Sequence, residues 1–271
     1  MQLHFWGVRG SSPTPGASTH QFGGNTSCIE VRSSSDDVIL LDGGTGIREA
    51  GADIARRTVG APRSIHLFLT HFHWDHIQGI PFFAPLFVAE NHVTIYSSRF
   101  SAPLDAALHG LMTSPYFSIG VADFKARVSL VTIDQQPVRL GDISIEPIEV
   151  NHPQGACAYR VKSSTAAAIY APDREHGDER LDRLFADQVR GVNALITDSQ
   201  YTPDEYPAHQ GWGHSTWLES VKLAREAGAK KLVLFHHDPA RSDGALAEIQ
   251  TAARREFAET FVAKEGWTLE V

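Results

Sequence analysis

Residues 70–76 of this chain read THFHWDH and form the most informative segment of its sequence. The segment contains four potential metal ligands: His71, His73, Asp75 and His76. His71 and His73 are two residues apart, so in an extended segment both imidazoles point the same way and can reach one ion. Asp75 and His76 follow where the chain should turn into a helix, and they can serve a second ion. A chance cluster of polar loop residues is the alternative, and the density of ligands argues against it.

Further candidate ligands follow other predicted strands. Residues 64–70 are a near-continuous apolar run, which predicts a strand covered on both faces and places the first motif directly at its end. Binding groups tend to lie at strand ends in layered α/β proteins. His152, Asp173 and His236 each come just after a later predicted strand, and together with the first motif they indicate a shared site. His237 competes with His236 for this role.

The ligand types restrict the metal. Imidazole and carboxylate ligands suit zinc, and they are also compatible with iron and manganese.

Cys28 and Cys157 are too few for a disulfide scaffold, so we expect two free thiols that pack as small apolar groups. A thiolate ligand at Cys157 is the alternative, because this residue lies near His152. Six other histidines lack ligand-like spacing and are predicted to lie at the surface or in packing: His20, His66, His92, His109, His176 and His209.

The rest of the chain alternates strands with helices and shows no internal repeat, low-complexity tract or long linker. Helices are predicted at residues 47–57, 216–227 and 244–264, the second with a capping-box pattern. Strands are predicted at residues 3–7, 27–31, 38–41, 64–70, 93–96, 128–133, 143–150, 158–161, 167–170, 194–197, 231–235 and 267–271. We therefore expect one domain over residues 1–271, in which helices sandwich the sheets.

Charge and hydropathy restrict the partners. The formal net charge of -8 argues against a large polyanionic partner, since proteins that bind one usually carry a basic surface. A small phosphorylated substrate stays compatible, because a bound metal would supply local positive charge. No apolar run approaches the roughly 20 residues that cross a bilayer, and the first residues do not resemble a signal peptide. The expectation is a cytoplasmic protein with no membrane partner.

The order of these ligands resembles the metal-binding pattern of the metallo-β-lactamase superfamily. The resemblance rests on the HxHxDH motif, on the three later ligands and on Asp42 in the sequence LDGG, and it runs nearly end to end. It implies an α/β fold, a four-layer αββα sandwich with two divalent metal ions, most simply Zn²⁺, along one edge. It also implies a hydroxide nucleophile, because coordination lowers the pKa of water to about 7. The implied ligands are His71, His73 and His152 for one metal, Asp75, His76 and His236 for the other, and Asp173 as a bridge.

Within the superfamily, the chain looks most like the tRNase Z-like phosphodiesterase branch. Its opening segments WGVRGSSP (residues 6–13) and NTS (residues 25–27) resemble that branch, as does GHST at residues 213–216. The resemblance implies that His214 lies beside the scissile phosphate and is held by Asp198. Such an imidazole can stabilise charge on phosphoryl oxygens or protonate the leaving oxygen, and the carboxylate fixes its orientation. The implied catalytic residues are Asp75, His214 and Asp198, although His214 can also be an ordinary residue before a helix and Asp198 an ordinary strand-end carboxylate.

One feature of proteins that trim tRNA, a basic and glycine-rich protruding arm, is not found in the sequence. Together with the negative charge, this argues against tRNA as the substrate and favours a small phosphodiester such as a cyclic nucleotide. Fold does not fix function, so two alternatives stay open. One is a hydrolase of a lactone or thioester, and the other is a sensor module that binds metal without turnover. The branch also implies a homodimer.

Two segments rich in aromatic residues and prolines, residues 77–87 and 111–117, have no assigned role. They can line the mouth of the pocket and stack on a base, or form a dimer face, and core packing is the alternative. Arg9 is a further candidate for approaching the site from the first loop. A second wall of the pocket, or simple loop packing, is predicted for Tyr201, Tyr206 and Trp212.

Overall fold

Two seven-stranded sheets pack face to face, and helices cover their outer faces. These features come from a computed structural model in which residues 1–34, 36–57, 63–134 and 136–271 are described. The predicted four-layer αββα sandwich of the α/β class is confirmed. Within these described ranges, no helix combines the length and apolar character that a membrane span requires.

The first sheet comes from the amino-terminal half of the chain and the last strand. Its strands are β1 (Gln2–Gly7), β2 (Cys28–Arg32), β3 (Val38–Leu41), β4 (Ser64–Phe68), β5 (His92–Ser98), β6 (Arg127–Ile133) and β14 (Thr268–Glu270). They lie in the order β14-β1-β2-β3-β4-β5-β6, and β3 to β6 pair in parallel. Because parallel strands point the same way, the carboxyl ends of β3 and β4 lie side by side at one edge.

The second sheet comes from the carboxyl-terminal half. Its strands are β7 (Val138–Leu140), β8 (Ile143–Val150), β9 (Ala156–Lys162), β10 (Ala167–Ala171), β11 (Ala194–Asp198), β12 (Leu232–Phe235) and β13 (Thr260–Val262). They follow one another in sequence order across the sheet, and β10 to β13 are parallel. The carboxyl ends of β10, β11 and β12 therefore also share one edge.

Six α-helices complete the layers among the described residues: α1 (Ile47–Arg57), α2 (Trp74–Ile77), α3 (Leu104–Leu111), α4 (Glu179–Val189), α5 (Trp217–Ala227) and α6 (Asp243–Glu256). Helices α1 and α3 bury their apolar faces with the first sheet, and α4, α5 and α6 do so with the second. A third apolar cluster lies between the sheets and includes Phe5, Phe68 and Phe235. Each fully buried side chain of this size contributes about 1.5–3 kcal/mol through removal from water.

The helix predicted at residues 244–264 is wrong in its last part. Helix α6 ends at Glu256, where Phe257 adopts an extended conformation, and Thr260–Val262 pairs in parallel with β12. Apolar residues at this end are buried by the sheet, which outweighs the helical pattern of the sequence. Strand β4 also ends two residues earlier than predicted. Helices α3 and α4 and strand β7 were not predicted from the sequence.

Candidate metal centre

The seven predicted ligands lie together at the edge where the carboxyl ends of strands from both sheets meet. The first motif follows β4, while His152, Asp173 and His236 follow β8, β10 and β12. Two groups have ligand atoms within 4.8 Å of one another: His71, His73, His152 and Asp173 in one, and Asp75, His76 and His236 in the other. The grouping is the one that the family resemblance implies for two metals.

Asp173 lies between the two groups and presents one carboxylate oxygen to each. Its Oδ1 is 3.0 Å from His76 Nε2 and 3.2 Å from His236 Nε2. Its Oδ2 is 3.6 Å from His71 Nε2 and 3.7 Å from His152 Nε2. This is the arrangement required of a carboxylate that bridges two ions.

The chemistry of the cluster fits bound cations. The Nε2 atoms of His76 and His236 face each other at 3.3 Å, and His152 Nε2 lies 3.1 Å from His73 Nδ1. His71 Nε2 and Asp173 Oδ1 are buried without a hydrogen-bond partner among the described residues. Buried polar atoms rarely lack a partner, because leaving one unsatisfied costs about 1–3 kcal/mol. Divalent cations would satisfy these converging lone pairs.

The carboxylates of the cluster are held in their ionised form. Burial alone would raise the pKa of Asp173, but His236 and His76 hold it well below its ordinary value. Burial also opposes ionisation of Asp75, and His76 and His236 likewise keep its pKa well below the usual range. For His71 the direction is the opposite, since burial and then His76 lower its pKa. Anionic oxygens and the neutral imidazole of His71 are forms that bind metal. Burial alone would lower the pKa of His76, but Asp173 and Asp75 hold it well above its ordinary value, so a metal bound there would displace a proton.

A buried aspartate orients one ligand from behind. Asp42, which matches the family aspartate, bonds with His76 Nδ1 at 2.8 Å, so His76 Nε2 is directed at the cluster. The same carboxylate accepts from the Thr70 backbone at 2.8 Å and from the Tyr170 hydroxyl at 2.9 Å. Such outer partners fix the tautomer and raise the basicity of a ligating histidine.

His236, and not His237, belongs to the cluster. Its Nδ1 contacts Gln200 Oε1 at 2.9 Å, which directs Nε2 towards Asp75 Oδ2 at 3.0 Å. His237 instead donates from Nε2 to the carbonyl oxygen of Ala263 at 2.9 Å. Burial lowers the pKa of His237 to about 3. Gln200 is a site residue that no sequence pattern indicated.

His214 and Asp198 form a buried pair beside the cluster. His214 Nδ1 lies 2.7 Å from Asp198 Oδ2, and its ring stacks on His236 with centroids 4.9 Å apart. Burial alone would lower the pKa of His214, but Asp198 raises it to about 9. The ring also lies close enough to Asp173 and His236 to form a third group of possible ligands. The predicted partnership with Asp198 is therefore present in the fold.

The first loop reaches the site through Ser11 and not through Arg9. The Ser11 backbone N–H donates to Asp75 Oδ2 at 2.7 Å. Arg9 is fully buried, and its guanidinium donates to backbone carbonyls, among them those of Gly23 and Arg241 at 2.7 Å. Arg9 thus holds loops together through their backbone carbonyls. A backbone donor such as Ser11 carries no side-chain signal that a sequence could reveal.

The cysteines and the remaining histidines lie outside the ligand groups found among the described residues. Cys28 and Cys157 are free and buried, as predicted. Burial raises the pKa of Cys157 to about 12, and its Sγ contacts the Thr70 carbonyl oxygen at 3.5 Å, so a thiolate ligand there is disfavoured. The six histidines without ligand-like spacing are absent from these groups as well.

Core packing, one of the interpretations of the aromatic segments, applies to part of residues 77–87. Phe83 and Leu86 are fully buried in the core beneath the first sheet. Other residues of both segments line a cavity of about 640 Å³, and its lining includes Phe72, Trp74, Ile77, Leu111, Tyr116 and Phe117. In the second predicted wall, Tyr201 is buried and stacks on His209, whereas Trp212 is exposed.

Comparison with known proteins agrees with this geometry. A family model described as a beta-lactamase superfamily domain matches residues 38–237. Ribonuclease Z of Lacticaseibacillus casei (strain BL23) is 23% identical over 316 aligned residues, which cover 98% of this chain and 93% of that protein. The metallo-beta-lactamase fold protein YhfI from Bacillus subtilis superposes with a TM-score of 0.76 at 22% identity, covering 100% of this chain and 98% of that one. Zn²⁺-bound PqqB from Methylobacterium extorquens gives a TM-score of 0.73 at 16% identity, with 100% of both chains covered.

Proposed function

The chain belongs to the metallo-β-lactamase superfamily, and from this premise we propose that it is a metal-dependent phosphodiesterase that cleaves a small phosphodiester such as a cyclic nucleotide. The superfamily assigns the chain to metal-dependent hydrolases, and the relatives include a ribonuclease Z. The identity of the substrate, a small phosphodiester, is what we propose beyond the superfamily assignment. The observation that carries the proposal is the His214–Asp198 pair beside the ligand cluster.

The proposed ligands would hold two divalent ions, with Asp173 between them. When bound, such ions polarise phosphoryl oxygens and supply a hydroxide nucleophile at neutral pH. Zn²⁺ is proposed as the resident metal, with Mn²⁺ or iron as alternatives, because the ligands are imidazoles and carboxylates. Asp75 would combine its ligand role with orientation of the attacking water, since its Oδ2 is anchored by Ser11 N at 2.7 Å.

His214 would act on the phosphoryl group itself. Because its Nδ1 is engaged by Asp198, the ring offers Nε2 for contact with substrate. An N–H at that position can hydrogen-bond to a phosphoryl oxygen as charge builds up, or transfer its proton to the leaving oxygen. Hydrolysis of a thioester has less need of this group, because a thiolate leaves without a proton, whereas a phosphodiester releases an alkoxide.

The apolar cavity supports a substrate with a flat ring system. Phe72 and Trp74 alternate with the metal-motif residues, so the cavity wall and the metal site share one short segment. The volume of about 640 Å³ falls in the range of small-molecule sites. None of the seven metal ligands lines this cavity, so we propose only that a nucleobase stacks on the exposed Trp74, which follows His73 in the chain. The formal charge of -8 makes tRNA a poor candidate beside a small phosphorylated ligand.

The test uses protein loaded with Zn²⁺ or Mn²⁺, assayed on bis-p-nitrophenyl phosphate, on 2′,3′- and 3′,5′-cyclic nucleotides and on p-nitrophenyl acetate. We expect diester cleavage that Asp75→Ala abolishes and that His214→Ala slows about 100-fold or more. Trp74→Ala should raise the KM for the cyclic nucleotide about 10-fold, because base stacking is lost. His109→Ala, an exposed histidine outside the cluster, is the control and should match wild type.

Two results would reject the proposal. If the loaded protein cleaves no diester faster than Asp75→Ala does, it is not a phosphodiesterase, and tight metal or ligand binding without product would favour a sensor module. If the acetate ester is cleaved much faster than any diester and independently of His214, the carbonyl hydrolase alternative is favoured.

The homodimer is proposed on the same resemblance. Trp74, Phe82 and Tyr116 are exposed aromatic side chains near the cavity mouth, which is where a second copy could pack. Light scattering coupled to size exclusion distinguishes a dimer from a monomer.

A further inference from the structure

We propose that Glu175 is a positioning residue that holds a metal ligand, His152, and the proposed acid, His214, in place through one glycine-containing segment. Glu175 follows β10, two residues after Asp173, and only 5% of its surface is exposed. It is neither a predicted ligand nor part of the cluster of possible ligands around Asp173.

The Glu175 carboxylate accepts three hydrogen bonds from the segment that leads to His214. Oε1 accepts from the Tyr206 hydroxyl at 2.9 Å and from Gly211 N at 2.6 Å, and Oε2 accepts from Gly213 N at 2.9 Å. No cation lies within ion-pair distance of this carboxylate among the ion pairs of the described residues. The charge is therefore compensated by hydrogen bonds to its ionised form, which are about twice as strong as neutral ones.

Gly213 passes the constraint on to His152. The carbonyl oxygen of Gly213 accepts from His152 Nδ1 at 2.9 Å, so His152 presents Nε2 to the cluster. The two groups are in such close contact that a Cβ on Gly213 would lie 2.2 Å from His152 Nδ1, and the backbone there has φ of +93°. Gly213 therefore donates its N–H to Glu175 and accepts from His152 at its carbonyl oxygen, which fixes the tautomer of this metal ligand.

The same segment continues through His214 to Ser215, which hydrogen-bonds to both chain neighbours of Glu175. Ser215 donates its hydroxyl to the Arg174 carbonyl oxygen at 2.6 Å and accepts from His176 N at 3.1 Å. Glu175 N in turn donates to the Asn151 carbonyl oxygen at 2.9 Å, directly before His152. One residue thus connects the His152 loop with the His214 loop.

A neutral isostere exposes this role. In Glu175→Gln the side chain keeps its shape but has one acceptor oxygen, so an amide NH₂ must face either Gly211 N or Gly213 N. A donor facing a donor displaces Gly211 or Gly213, and in either case it shifts the segment that carries the contact with His152 and leads to His214. Loss of an outer partner of a metal ligand weakens metal binding by about 10- to 100-fold.

The experiment measures two quantities on the full chain: the Zn²⁺ dissociation constant, by competition with a chromogenic chelator, and kcat and KM at saturating Zn²⁺ on bis-p-nitrophenyl phosphate. For Glu175→Gln we expect about 10-fold weaker Zn²⁺ binding and about 10-fold lower kcat, with KM little changed. His214→Ala should lower kcat alone and leave Zn²⁺ affinity within about two-fold, since His214 is not a proposed metal ligand and its removal leaves the bond from Gly213 to His152 intact. The partly exposed Glu146→Gln is the matched control and should resemble wild type.

Tyr206→Phe removes one of the three donors and is a milder second variant. It should lower kcat about two- to three-fold at constant KM, while Tyr96→Phe, which loses a hydrogen bond to His66, should not. If Glu175→Gln is unfolded by circular dichroism, Tyr206→Phe decides the matter, and unchanged kinetics then overturn the proposal. If Glu175→Gln is folded and binds Zn²⁺ like wild type, the proposal is also overturned.

The kinetic part of this inference rests on the proposed function, whereas the Zn²⁺ part does not. A wild-type protein that cleaves no diester would reject the proposed function alone. Weaker Zn²⁺ binding by Glu175→Gln in that same protein would still support the positioning role.

Discussion

Asp42 adopts a left-handed backbone conformation, with φ of 61°, at the sharp turn that follows β3. Aspartate tolerates this region better than most residues, because its short side chain bonds to nearby groups. Here the carboxylate is fully buried and joins Thr70, His76 and Tyr170, which come from both sheets. The strain of the turn thus places an acceptor directly behind a metal ligand.

At this scale we predict that Asp42→Asn weakens Zn²⁺ binding about 10- to 100-fold, because the amide gives the N–H of His76 a poorer acceptor. An amide NH₂ facing the buried donors should also destabilise the fold by about 1–3 kcal/mol. Chelator competition and urea unfolding measure the two effects. The control is Asp105→Asn, since Asp105 pairs with His109 at the exposed surface, 3.3 Å apart. Equal Zn²⁺ affinity in both variants would contradict the role of Asp42.

At the scale of elements, the loop after β11 is tied to the segment before α6. Arg241 contacts Glu205 with both of its terminal nitrogens, at 2.9 and 2.6 Å, and also donates to the Gln200 carbonyl oxygen at 3.1 Å. Gln200 is the residue that orients His236. A surface ion pair therefore supports a loop that reaches the metal ligands.

This tie predicts a pH dependence of stability. The hydrogen bond from Arg241 lowers the pKa of Glu205 from 4.5 to about 2. Because the folded-state value is the lower one, the ion pair stabilises fully above pH 4.5, and its contribution is lost as the pH falls towards 2. Glu205→Gln should cost about 1 kcal/mol or less at neutral pH, since the pair is partly exposed, and the difference should shrink at low pH.

Urea midpoints of wild type and Glu205→Gln, measured at neutral pH and near pH 3.5, test this expectation. Glu248→Gln, at an exposed position on α6, is the control and should show no such trend. A difference between wild type and Glu205→Gln that stays constant or grows on acidification would argue against the ion pair as its cause.

For the whole molecule, the ligand cluster joins the two sheets at one edge. Four ligands follow β4 of the first sheet, and three follow strands of the second. Between the sheets, apolar side chains such as Phe5 and Phe235 already form a continuous core. Metal ions bound at this edge would therefore connect sheets that are otherwise held together mainly by apolar contact.

Metal removal should consequently lower global stability. A ligand that binds only the folded state at 100 times its dissociation constant contributes about 2.7 kcal/mol, which corresponds to a fall in Tm of roughly 5–10 °C for a chain of this size. Calorimetry before and after dialysis against a chelator measures the shift, and Zn²⁺ should restore it. Asp173→Asn should show a much smaller response. A Tm that is indifferent to chelation in the wild-type protein would exclude a structural contribution of the metals.

Local spacing explains why so much of the site could be predicted. His71 and His73 share a side of an extended segment because side chains alternate along it, and that relation needs no other part of the chain. Apolar runs followed by polar ligands predicted the strand ends, and the αββα fold followed from the family resemblance. These relations are either local or depend only on the order of residues along the chain.

Tertiary structure alone decided the rest. Hydrogen bonds between residues far apart in sequence join Gln200 to His236, Ser11 to Asp75 and Glu175 to Gly213. The first of these contacts is also what distinguishes His236 from His237. Strand β13 in place of a longer helix depends in the same way on pairing with β12. Sequence by itself determined which ligands exist and that they lie at strand ends. Only the pairing of strands within each sheet and the packing of the two sheets brought those ends together, because register and packing between distant segments have no local signature.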